Sequence, residues 1–146
     1  MKPIRAFNEF IKEGIVKVQQ PDISRANFLI KESEKAYSYL QDLIKKMSIN
    51  NEGANSIIKL SYDTLMEIIR AKMLLKGFNA SGFNAHESEV AYLRELNFSE
   101  VEVQFADQLR YFRNGIMYYG KILDKEYAEK VVEFLNQIYP KLIKDI

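Results

Sequence analysis

The chain has 146 residues, no cysteine and a formal net charge of +1. That length suits a single domain, 1–146, able to bury a real core. The missing cysteine excludes a disulfide framework and thiolate zinc sites, and the balanced charge gives no whole-chain pull toward nucleic acid. No apolar run approaches the roughly 20 residues a bilayer helix needs. The opening MKPIRAFNEFIKEG has no apolar signal core, so a cytoplasmic protein with no membrane partner is expected.

Three prolines and six glycines punctuate a pattern whose period is helical. Residues 3–13 read as a short helix, and Gly14 to Pro21 as a break. Pro21, Asp22 and Ser24 open a helix running to about Met47, with Ala26, Leu29, Ile30, Ser33, Leu40 and Ile44 at helical spacing. Asn50 to Gly53 reads as a turn. The next helix covers about 54–76 and is capped by Gly77. Residues 77–85 form a loop of small residues, and a short helix follows at about 86–96. Ser99 is the expected N-cap of a further helix, with Glu100 and Glu102 in its first turn. Its apolar line is Val101, Phe105, Leu109, Phe112 and Ile116, and it ends near Tyr119 at Gly120. The last helix begins near Asp124, and Pro140 should kink or shorten it. The expected fold is all-α: an antiparallel up-and-down four-helix bundle with additional short helices.

Most catalytic chemistries find no residues here. His86 is the only histidine, so a histidine-rich metal site lacks material and little room is left for a Ser–His pair. Gly77 to Gly82 lacks the lysine and the preceding strand of a phosphate loop. No metal and no cofactor are expected, and whether the chain is an enzyme stays open. Charge is uneven, however. Residues 87–107 hold six acids against one base, and 108–125 hold Arg110, Arg113, Lys121 and Lys125 against Asp124.

The densest chemistry lies in Arg110-Tyr-Phe-Arg-Asn-Gly-Ile-Met-Tyr-Tyr-Gly120. Arginine keeps its charge and offers a rigid fork of donors suited to phosphate or carboxylate. Arg110 and Asn114, four apart, share a helix face. Asp107 precedes Arg110 by three, so a plain ion pair is the competing reading. Gly115 within a helix costs about 1 kcal/mol against alanine, tolerable where a ligand or another helix approaches closely.

The segment Arg113 to Gly120 resembles the signature of HEPN domains (higher eukaryotes and prokaryotes nucleotide-binding), an arginine and a polar residue followed a few positions later by histidine. Pro21 to Ile30 and Ser61 to Arg70 resemble the family's first two long helices. Gly77 to His86 with Tyr92 and Leu93 resembles the loop and short helix that follow, so the likeness covers most of residues 8–140. It implies a homodimeric bundle that binds nucleotide or RNA through Arg110, Arg113, Asn114, Tyr118 and Tyr119. It also brings the possibility of a toxin–antitoxin setting with a nucleotidyltransferase partner protein. This chain departs from the signature: Tyr118, Tyr119 or Gly120 stands where the family has histidine. Tyrosine, with a pKa near 10, is a poor proton acceptor at neutral pH. The expected function is therefore nucleotide, RNA or partner binding with little or no catalysis. The alternatives are a metal-independent ribonuclease using Arg113, Asn114 and Tyr118, and a structural protein whose Arg–Tyr cluster is an interface. His86 lies in another segment and reads as a hydrogen-bonding residue at a helix start.

Overall fold

Six helices and two short strands make up the computed structural model, which describes residues 3–120 and 122–144; the side chains of Tyr118 and Tyr119 also lie outside the described residues, as does Lys121. In chain order these are α1 (Phe7–Lys12), β1 (Val16–Val18), α2 (Ile23–Met47), α3 (Ala54–Leu75), β2 (Phe78–Ala80), α4 (Ala85–Glu95), α5 (Glu100–Tyr119) and α6 (Lys125–Lys144). The fold is all-α in character, with α2, α3, α5 and α6 as its long members. Among the described residues no helix is long and apolar enough to cross a membrane.

The helix starts follow from capping chemistry. Asp22 accepts from the Arg25 N–H at 3.1 Å, and Asp124 accepts from the Tyr127 N–H at 2.9 Å. At α5, Ser99 and Glu102 form a reciprocal capping box, which satisfies two otherwise orphaned donors. Between α2 and α3 the Asn50 side chain takes the Gly53 N–H at 2.8 Å, closing the expected turn.

α3 is the hub, packed against α2, α4, α5 and α6. Ile57, Ile58, Leu65, Ile68, Ile69 and Leu74 are all buried, so apolar residues cover most of its circumference rather than one stripe. The expected apolar line of α5 holds at Leu109, with Phe105 and Ile116 packed against the core, and fails at Val101. Val101 is 80% exposed, whereas Val103, Ala106 and Leu109 are buried. The aromatic residues Phe105 and Phe112 turn toward α6, where Phe105 meets Phe134 at 4.4 Å and Phe112 meets Tyr127 at 5.0 Å. Pro140 lies inside α6 without shortening it; the helix continues to Lys144. Ile138, Tyr139 and Leu142 anchor that last stretch, and Lys72 donates to the Leu142 carbonyl at 2.9 Å.

The strands correct the reading of 14–21 as a plain break and 77–85 as a plain loop. β1 and β2 pair antiparallel, Val16 opposite Ala80 and Val18 opposite Phe78. Three residues are too few for an alternating pattern to register. Gly77 makes the pairing possible: its φ is +82°, and a Cβ there would sit 2.3 Å from the Gln19 carbonyl oxygen. The connection from α5 to α6 is held by side-chain amides, with Asn55 accepting from the Leu123 N–H and Asn51 from the Lys125 N–H.

Candidate functional site

The small-residue loop, the start of α4 and the middle of α5 enclose a cleft of about 320 Å³. It is lined by Gly82, Phe83, Asn84, His86, Glu87, Arg110, Arg113 and Asn114 among others. Three residues expected from sequence, Arg110, Arg113 and Asn114, thus share one cleft with the lone histidine. Tyr118 and Tyr119 end α5 further along, with side chains outside the described residues.

The two arginines are held differently. Arg110 Nε donates to Asp107 Oδ1 at 2.8 Å, the i,i+3 pair expected from spacing, and Asp107 is buried. Its charge is largely matched within α5. Arg113 lies over the Tyr62 ring, 5.4 Å from its centroid, and reaches the half-exposed Asp63 only at 3.4 Å through Nη2. Its Nε is buried and has no hydrogen-bond partner among the described residues. An unmade hydrogen bond on a buried charged donor costs on the order of 1–3 kcal/mol or more. Such a donor beside an open cleft is poised for an acceptor.

His86 reaches the cleft because α4 is clamped to α3. Arg70 grips Glu89 with two hydrogen bonds, Nε to Oε2 at 2.6 Å and Nη2 to Oε1 at 3.1 Å, and Glu89 is 1% exposed. The Glu89 carboxylate raises the pKa of Arg70. His86 precedes Glu89 by three residues on the same face of α4, so the clamp fixes its placement. Its Nδ1 lies 2.9 Å from the Tyr62 hydroxyl, with the rings nearly parallel. Burial drives the Tyr62 phenol well above its usual range, assisted by Glu89, so it stays protonated. A neutral pair is satisfied when Tyr62 donates to Nδ1 and the imidazole proton sits on Nε2, an assignment made from the hydrogen-bond pattern. His86 as a whole is exposed, and its Nδ1 rests on the buried Tyr62. Desolvation lowers its pKa, opposed by Glu89 and reinforced by Arg70, Arg113 and Arg110. Near neutral pH it is uncharged.

The arrangement offers a guanidinium, a side-chain amide and a neutral imidazole to one small anion, with the N-terminus of α4 alongside. Larger clefts lie elsewhere. One of about 530 Å³ is bordered by Lys72, Lys76, Lys141 and Lys144 with Glu95 and Glu102, a mixed surface without a buried unsatisfied donor. Among the described residues no three His, Asp or Glu cluster closely enough to hold a metal ion. Sequence reasoning missed Tyr62, Arg70 and Glu89 as supports of the site. Their roles rest on contacts between α3 and α4, Arg70 with Glu89 and Tyr62 with His86, which local spacing does not show. No family model, curated protein or solved structure matches this chain.

Proposed function

We propose that this chain is a HEPN-like helical module that binds the phosphate of a nucleotide or RNA in the Arg110–Arg113–Asn114–His86 cleft, with little or no catalysis. The observation that carries the reading is the buried, unpartnered Nε of Arg113 beside an open cleft. A phosphate oxygen supplies the missing acceptor when the Arg113 side chain turns toward the cleft, and a charge-assisted contact of that kind contributes roughly 1.5–3 kcal/mol. Asn114 adds a neutral donor, and Arg110 adds field at a longer range because Asp107 already engages it. The test is binding of a nucleoside monophosphate and a short oligoribonucleotide to wild type and Arg113→Ala. Affinity should fall about ten- to a hundredfold, while the melting temperature moves little. Unchanged affinity with a collapsed melting temperature would make Arg113 structural.

A second reading, a metal-independent ribonuclease, is favoured by one observation. A histidine does stand in the cleft with Arg113, brought by α4 rather than by the end of α5. On this reading His86, not Tyr118, takes the proton-transfer role. Chelator-resistant RNA cleavage abolished by His86→Ala would establish it, and absence of cleavage at high protein concentration would dismiss it.

A further inference from the structure

We infer that the cleft is a proton-coupled site for a terminal phosphate: it takes a nucleoside monophosphate as the dianion, and His86 gains a proton as the ligand seats. The inference rests on the phosphate-binding reading above and narrows it to a small ligand with a free phosphate end, rather than the interior of a polynucleotide.

Charge balance is the first argument. Arg70 is matched by Glu89 at 2.6 Å and Arg110 by Asp107 at 2.8 Å. Only Arg113 offers charge that is weakly compensated, by Asp63 at 3.4 Å. One guanidinium suits the single charge of a bridging phosphodiester. A phosphomonoester carries nearly two charges at neutral pH, and the second needs another cation. His86 is the only uncharged group on the cleft able to become one.

The second argument is the hydrogen bond behind the imidazole. The Tyr62 hydroxyl can donate or accept. When His86 is neutral, Tyr62 donates to Nδ1. When His86 is protonated, Nδ1–H donates to the Tyr62 oxygen and Nε2–H is presented to the cleft. The contact at 2.9 Å survives both states, so protonation leaves no buried group stranded. The groups facing His86 are Tyr62 and Arg70 from α3, Glu89 from its own helix, and Arg110 and Arg113 from α5. Desolvation, reinforced by three arginines, keeps the imidazole neutral in the empty site, and a bound dianion opposes the arginines.

Surroundings supply the third argument. Glu87 lines the same cleft and gives it an acidic margin. A phosphate within a chain brings flanking phosphates into that acidic margin, whereas a terminal phosphate does not. Phe83, 88% exposed at the rim, offers a flat face on which a base can stack.

The experiment compares adenosine monophosphate with the dinucleoside phosphate ApA, which has no terminal phosphate. Titration calorimetry is run at about pH 8, where the free imidazole is neutral, in two buffers of different protonation enthalpy. The monophosphate should bind at least about tenfold tighter, with uptake of up to one proton; a second charged contact accounts for that factor. His86→Gln should bring the two ligands to equal affinity and abolish the proton uptake. Because His86 is the only histidine, its imidazole resonances also report the event in the unaltered chain, and its pKa should rise when the monophosphate binds. Equal binding of both ligands, or an unshifted His86 titration in the complex, overturns this inference and leaves the phosphate site standing. Failure of both ligands to bind overturns the phosphate site as well.

Discussion

Arg70 and Glu89 are joined by two hydrogen bonds across the α3–α4 interface, at 2.6 and 3.1 Å, with the carboxylate almost wholly removed from water. Removing one partner of a buried pair strands the other, at a cost of about 3–5 kcal/mol. Arg70→Ala should therefore lower stability by about 3 kcal/mol in urea unfolding, while Arg70→Met with Glu89→Leu should recover most of the loss. A single variant that costs under about 1 kcal/mol would show that the clamp is dispensable.

Stability should also follow His86. Its folded pKa lies below the ordinary value of about 6.5, so the unfolded chain binds its proton first as pH falls. The contribution is fully present above about 6.5 and is lost as pH drops from there to the folded pKa, below which it levels off. His86→Gln should flatten that segment of the stability–pH curve. The check is chemical denaturation at closely spaced pH values.

Tyr62→Phe removes the hydroxyl that accepts the Nδ1–H hydrogen bond of the imidazolium. The expected cost to stability is about 1 kcal/mol, with a further downward shift of the His86 titration seen by NMR. An upward shift would mean that the hydroxyl acts chiefly as the donor to the neutral imidazole.

Gly77→Ala should destabilise by more than about 1 kcal/mol, since it meets both a left-handed backbone and the Gln19 carbonyl at 2.3 Å. Gly82→Ala shares the positive φ but has open space around it. Thermal melts of the two should separate the steric part from the conformational part.

On α5 the two valines give a paired test. Val101→Thr, at an exposed position, should change stability by no more than about 0.5 kcal/mol. Leu109→Ala, in the buried row, should cost about 2–5 kcal/mol. Val103→Asp should prevent folding, which circular dichroism would show.

The long helices were legible because each carries its own signals: Asp22, Ser99 and Asp124 at the starts, Gly77 and Gly120 past the ends, and apolar residues at helical spacing. The inward line of α5 was misread at Val101, because spacing alone cannot tell which of two apolar lines meets the hub and which meets α6. The strands at Val16 and Phe78 were invisible because each is stabilised by the other across some sixty residues of chain. The arginines and Asn114 of the cleft were found from local density of charge. His86 was set aside because its partner Tyr62 and its clamp Arg70–Glu89 are long-range contacts, which no local pattern encodes.

The amide latches at Asn51 and Asn55 carry a consequence for how the molecule yields under stress. Each joins a neutral side chain to a backbone N–H, so neither titration nor ionic strength acts on it directly. The seat of α4 adds ionised groups to its buried Val90, Ala91 and Leu93, Arg70 with Glu89 on one side and Arg94 with Glu100 on another. Concentrated salt therefore acts on the exposed Arg94–Glu100 pair and not on the α5–α6 connection: amide exchange near the end of α4 should quicken with added salt while exchange at Leu123 and Lys125 holds.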